Sequence, residues 1–261
     1  MRGDWMRLFA SMLGLLLSGC AAVSATLPPP PLHPDGQKLW QIVNGRCVPG
    51  QIASGDPAPC TTVSVATGVE RGYALLKDRV GAGQFLLMPT TLISGIEAPA
   101  LVRTDSPNYF TPAWQAGRFV AAAFDKPLAR EDIGVAVNSQ YGRTQDLLHL
   151  HVDCLRLDVR DALKRSSLRI GWRWSRGPVL AGHRYYAVRV DGDDVVKANP
   201  FTLLVRGMHV ASNDMGAWTL VLAGARFAGR PGFVLLAARA DPANGYDGSG
   251  EQLQDHDCGG R

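Results

Sequence analysis

The chain has 261 residues, 46% of them hydrophobic, and 27 Lys and Arg against 23 Asp and Glu give a formal charge of +4. So mild a charge, with no cluster of five or six basic residues and interleaved aromatics read from it, does not suggest a nucleic-acid protein. It is compatible with an anionic substrate at an anionic bilayer, and the length allows one well-buried domain behind an N-terminal leader.

Residues 1–20 read as a signal peptide. Arg2 and Arg7 form a basic start diluted by Asp4, and residues 8–19 are an apolar run of signal-peptide length, short for the roughly 20 residues of a membrane span. Leu17-Ser18-Gly19-Cys20 fits a bacterial lipobox, so Cys20 is the expected lipidation site. An ordinary cleaved signal, cut near Ala22 or Ala25, is the alternative. Residues 21–38 form a linker whose four consecutive prolines favour a stiff polyproline II spacer, with His33 solvated inside it.

The folded part is expected over residues 39–261. A short helix opens it and stops near Gly45, and residues 47–60 read as a loop. Strand-like residues 73–77 and 85–88 flank a glycine-bearing turn and predict a hairpin. Residues 94–111 predict a long surface loop. Thr111 and Pro112 supply N-cap and first-turn signals for a helix that buries Trp114, Phe119 and Phe124. Strands follow over 133–138 and 147–155, joined by a polar turn around Tyr141-Gly142, then a helix over 157–164. Residues 179–190, 203–210, 218–222 and 233–237 alternate toward strand, and the chain beyond Ala240 reads as loose. The pattern is α+β: an antiparallel sheet with flanking helices and a C-terminal α+β extension of the same domain.

The most specific segment is Gln145-Asp-Leu-Leu-His-Leu-His-Val-Asp-Cys154. On a strand, successive side chains face opposite ways. His149, His151 and Asp153 therefore share one face, and Leu148, Leu150, Val152 and Cys154 the other. The leucine–valine face suits a core, so the histidine face is expected to line a cleft. Two imidazoles side by side serve a nucleophile with an orienting partner, or a metal.

With Asn138 eleven residues before His149 and Gln145 four before it, the segment resembles the signature of the histidine-triad (HIT) superfamily. Thr144 stands where that pattern has Gly, and Asp153 where it has a third His. Residues 73–78 and 84–89, Ser94-Gly-Ile-Glu97-Ala-Pro99, Gly142-Arg-Thr-Gln145 and Gln254-Asp-His-Asp-Cys258 narrow the likeness to the CDP-diacylglycerol pyrophosphatase family. The resemblance runs from about residue 39 to 258. It implies a HIT-like fold and hydrolysis of CDP-diacylglycerol to CMP and phosphatidate, without metal or cofactor. It further implies His151 as the nucleophile, forming a nucleotidyl-histidine, His149 as the group fixing its ring, and Gln145 and Asn138 as donors to the α-phosphate. Asp153 would steady His149, orient water or stand solvated at the strand end. Arg143 and Lys77 are candidate phosphate contacts, while His183, His209 and His256 read as structural.

Cysteine usage agrees with export. Setting Cys20 aside, four cysteines allow three connectivities. The expected pairing is Cys47–Cys60, closing a Pro/Gly-rich loop, and Cys154–Cys258, tying the tail to the back of the histidine strand. The expected setting is the bacterial cell envelope: membrane-anchored through the N-terminal lipid and facing the periplasm. Residues 92–109 with the Trp114 helix are a candidate wall against acyl chains. Two rivals remain: another HIT-type nucleotidyl hydrolase or transferase, and a non-enzymatic lipoprotein binding metal through His149, His151 and Asp153.

Overall fold

The computed structural model describes residues 27–260; the expected signal peptide and Cys20 lie outside the described residues. Ten strands form one antiparallel sheet in the order β1-β2-β3-β5-β4-β8-β9-β7-β6, with β10 added to β5. The strands are β1 (Thr62–Ser64), β2 (Tyr73–Lys77), β3 (Phe85–Pro89), β4 (Ile133–Val137), β5 (Leu150–Leu155), β6 (Ser175–Leu180), β7 (His183–Val190), β8 (Trp218–Phe227), β9 (Arg230–Arg239) and β10 (Gln254–Asp255). The helices are α1 (Lys38–Ile42), α2 (Val48–Ser54), α3 (Phe110–Gln115), α4 (Gly117–Ala123), α5 (Leu157–Ser166) and α6 (Pro200–Met208).

Strand parity divides the core in two. Leu87, Val135, Leu150, Val152, Leu220, Leu222 and Leu235 face one side, with the buried Phe110, Val120 and Phe201 of α3, α4 and α6. On the other side, Ala136, Val221, Ala223 and Leu236 meet Val159 and Leu163 of α5. On that second side, toward the β2–β3 end, Leu86 and Met88 pack with Val43 and Val48 near the N-terminus. His151 lies between these two apolar clusters, paired across the ladder with Leu86 of β3 and Ala136 of β4. The 2–3 hairpin and the alternation of β5 are as the sequence predicts.

Several local expectations are overturned. The opening helix does not stop at Gly45: a π turn over Val43–Cys47 leads into α2. Pro49 falls in the first turn of α2, and Gly55 at φ 75 ends it. Residues 203–210 are not a strand but mostly helix α6, whose start is fixed by Asn199 Oδ1 accepting from Phe201 N at 3.0 Å, followed by Pro200. The 94–111 stretch is no open surface loop, since Ile96, Leu101 and Phe110 are fully buried. Ile96 and Leu101 therefore support the fold and form no wall against acyl chains. Strand β8 also runs past the expected end at residue 222 and includes Gly224, where a Cβ would lie 2.1 Å from the Arg130 carbonyl oxygen.

The proline-rich segment lies along the domain. The Tyr141 hydroxyl donates to the Pro28 carbonyl at 2.8 Å, and Asp146 N donates to Gly36 O at 2.7 Å. His33, expected to be solvated, has Nδ1 3.3 Å from Asp146 Oδ1 with its side chain 12% exposed. Both expected disulfides, Cys47–Cys60 and Cys154–Cys258, are formed. The second closes a loop of 104 residues in sequence separation, and restricting an unfolded loop of that size is worth about 4.7 kcal/mol by chain entropy.

Candidate active site

Three strands present polar groups to one point on the second face of the sheet. His151 is on β5, Gln84 immediately precedes β3, and Asn138 immediately follows β4; all three are buried. Their parity is shared because each is an even number of residues from a partner of the same ladder, Leu86 or Ala136. Gln84 Nε2 lies 2.7 Å from His151 Nδ1, and Asn138 Nδ2 lies 3.4 Å from His151 Nε2.

The fourth member comes from the tail. Glu251 Oε1 is 3.3 Å from His151 Nδ1. Its carboxylate also accepts from Gln84 Nε2 at 2.7 Å and from Asn138 Nδ2 at 3.3 Å. Burial alone pushes the Glu251 carboxyl up, but the bonds from His151, Gln84 and Asn138 outweigh it and hold the group well below the carboxylate range. Asn138 is oriented by its other end. Its Oδ1 accepts from Glu251 N at 3.2 Å and from the Ser249 hydroxyl at 3.3 Å, so its NH2 faces the ring. Gly250 allows this approach: a Cβ there would lie 2.5 Å from Thr219 Oγ1 and 2.7 Å from Val221 Cγ2.

The tail is clamped beside the site. β10 pairs with β5 at Leu155 and Cys154, and Gln254 Nε2 donates to the backbone oxygens of His151 and Gly134, both at 3.0 Å. His256 Nδ1 lies 2.7 Å from Asp153 Oδ2, next to the Cys154–Cys258 bridge. The bond to Asp153 raises the His256 pKa against the opposing effect of burial. His256 Nε2 is also 3.7 Å from Glu251 Oε1. Asp153, fully buried, thus holds the tail histidine.

His149 stands edge-on to His151, with ring centroids 4.8 Å apart. Its Nδ1 donates to the Leu147 carbonyl at 2.6 Å. Burial, then the neighbouring His151, lowers its pKa to about 3, so it stays neutral beside the His151 ring. A histidine neutral when folded and titrating near 6.5 when unfolded contributes stability that is lost as pH falls below 6.5, because the unfolded chain then binds the extra proton. Above the carboxylate range this is the expected acid sensitivity. Between pH 6.5 and 5 the wild type should lose up to about 1.4 kcal/mol per pH unit through this group. Urea unfolding of His149→Gln across that window should show the slope reduced; an unchanged slope would mean that His149 is not buried neutral.

The remaining sequence candidates lie elsewhere. Gln145 does not join the ring: its Oε1 accepts from Leu39 N at 3.1 Å and its Nε2 donates to Asp35 O at 3.2 Å, stapling the N-terminal segment to the 141–146 turn. Arg143, 11% exposed, is paired with Glu97 at 2.6 Å and Asp146 at 3.3 Å. Lys77 Nζ donates to the carbonyls of Asp78 and Gly81 at the hairpin mouth. The metal-ligating set of His149, His151 and Asp153 does not gather. Among the described residues the grouping of three potential ligand atoms is Asp153, Cys154 and Cys258, and its two sulfurs are bonded to each other. Glu251 and Gln84 were not singled out by sequence reasoning. Gln84 carried a readable signal, a polar side chain in phase with Leu86 and Met88.

Fold and site are those of an α+β enzyme built around a buried histidine held between two amides and a carboxylate. A family model for CDP-diacylglycerol pyrophosphatase matches residues 34–260. A CDP-diacylglycerol pyrophosphatase of Yersinia pestis is 40% identical over 225 residues, covering 86% of this chain and 84% of that protein. The chain belongs to the CDP-diacylglycerol pyrophosphatase family.

Proposed function

We propose that this protein hydrolyses the pyrophosphate bond of CDP-diacylglycerol, releasing CMP and phosphatidate, with His151 Nε2 as the attacking atom. Family membership supports the reaction. The mechanism rests on one observation, the Glu251 carboxylate set against His151 Nδ1 on the buried ring. A carboxylate only accepts, so it favours the tautomer with the ring proton on Nδ1 and the lone pair on Nε2. Gln84 then keeps its bond to Glu251 and draws back from the protonated Nδ1.

In the first step the Nε2–P bond forms at the cytidine-bearing phosphorus. The P–O bond to phosphatidate breaks, and its electron pair leaves with the phosphate. That leaving group has a second pKa of about 6 and needs little acid assistance. The imidazole becomes positively charged, which the Glu251 carboxylate stabilises and the neutral His149 does not oppose. The Asn138 NH2, already beside Nε2, is positioned to donate to a phosphoryl oxygen. Water then attacks the same phosphorus, the N–P bond breaks with its pair returning to Nε2, CMP leaves with the oxygen and one proton of the water, and the other proton passes to solvent. An N-terminal lipid anchor at Cys20, on the periplasmic side of the cell envelope, belongs to the same proposal and is supported by the Leu17–Cys20 sequence and the two disulfides.

The test uses CDP-diacylglycerol labelled at the cytidine-proximal phosphate, with a base quench during turnover. Label is expected on the protein, stable in base and lost in acid. Steady CMP release with no labelled protein at any time would overturn the covalent route. Equal rates on CDP-choline and CDP-diacylglycerol would overturn the lipid substrate.

A further inference from the structure

Residues 162–190 contain seven Lys and Arg and no Asp or Glu. The whole chain carries only +4, so this one stretch holds more than the entire net positive charge and the remainder is net acidic. It also corrects the sequence reading above. Lys164, Arg165, Arg169, Arg173 and Arg176 fall within thirteen residues, interleaved with Trp172 and Trp174.

Folding turns the stretch outward. Lys164, Arg165, Arg169, Arg173 and Arg176 are all exposed. They lie on the end of α5, the following turn and β6, the edge strand of the sheet. None of the five makes an ion pair among the described residues, unlike Arg160, which pairs with Asp132 and Asp161. Arg169 and Arg176 line one notch with Ser166 and Ser175, of about 150 Å³, wide enough for a phosphate group. Among them Leu168 is 98% exposed and Trp172 58% exposed. Trp172 is not loose, since the Arg189 guanidinium stacks 4.1 Å from its ring centroid. Unpaired cations around a projecting leucine and a braced tryptophan combine the two attractions of an interfacial membrane contact: charge toward anionic headgroups and apolar side chains toward the acyl boundary.

We propose that the turn between α5 and β6 is a membrane-docking surface that binds anionic phospholipid. The choice of a lipid surface over another polyanion rests on the lipid substrate proposed above and on Leu168, which contributes nothing to a phosphate backbone. α5 covers the same face of the sheet that carries His151. Docking there would give the domain a second hold on the bilayer, independent of any N-terminal anchor.

The experiment uses the full chain with Cys20→Ala, so that no acyl chain contributes, and vesicles of phosphatidylcholine with or without phosphatidylglycerol. Binding is expected to strengthen at least about tenfold with the anionic lipid and to weaken as salt rises. Arg169→Ser/Arg173→Ser/Arg176→Ser is expected to remove that increment, and Leu168→Ser to weaken binding to both vesicle types. Both variants should keep the wild-type rate on CDP-diacylglycerol dispersed in detergent micelles, which separates this surface from the active site. A wild-type chain inactive on any lipid would sink the proposed reaction while leaving vesicle binding readable. Equal binding to neutral and anionic vesicles, an unaffected triple variant, or tighter binding to a single-stranded oligonucleotide than to the anionic vesicles would each overturn the docking surface.

Discussion

Replacing His151 with Ala is expected to lower CMP release from CDP-diacylglycerol by about 10⁴-fold or more, the scale seen when a covalent nucleophile is removed. The fold should survive. The ring is buried between side chains that retain one another: Glu251 still accepts from Gln84 and Asn138, and Gln254 bonds the His151 backbone oxygen, which the variant keeps. The loss in stability should therefore be about 1–3 kcal/mol, from an emptied site and the hydrogen bonds of the ring. Quenched-flow CMP release and a thermal melt together check it. A folded variant within about tenfold of wild type would place the nucleophile elsewhere.

Glu251→Gln should cost about 10²–10⁴-fold in turnover, the range for a carboxylate that holds a histidine tautomer. The amide is nearly the same size, so packing is kept and the effect is electrostatic. A Gln side chain offers one acceptor where the carboxylate now meets Gln84, Asn138 and His151. It also removes the charge that stabilises the imidazolium. Stability should change in a pH-dependent way. The folded Glu251 pKa is depressed below its ordinary value of 4.5, so its contribution is fully present above that value and disappears as pH falls toward the folded pKa. The wild type should lose stability below pH 4.5 that Glu251→Gln does not lose. Parallel acid-unfolding curves in that region would contradict the hydrogen bonds assigned to the Glu251 carboxylate.

What was legible in the sequence was local and periodic. The alternation around His149 and His151 set the two faces of β5, and the 73–88 hairpin and helix α5 followed from apolar spacing and turn residues. Asn138 and His151 meet because β4 and β5 pair antiparallel with Ala136 opposite His151, and Asn138 shares the parity of Ala136. What escaped was long-range. Residues 203–208 alternate well enough for a strand, yet Asn199-Pro200 caps them into a helix that buries Phe201 and Leu204. The tail beyond Ala240 is rich in Gly and Asp, the composition of a loose end, and its order comes from the Cys154–Cys258 bridge, the Asp153–His256 pair and β10. Glu251 could not be assigned from spacing because a hundred residues separate it from its partner ring. Gln145 misled for the opposite reason, since its nearness in sequence to His149 does not survive the turn that points it at Leu39.

The tail-borne carboxylate also sets an order in time. His151 is synthesised a hundred residues ahead of Glu251, so a nascent chain carries the histidine long before it carries the group that tunes it. The clamp that seats Glu251 includes the Cys154–Cys258 bond, which an oxidising compartment favours and a reducing one does not. A chain with this bond reduced would hold every residue of the site with one hold on its tail removed. The same bond makes the candidate site sensitive to the redox state of its surroundings, with the tail as the part that would respond.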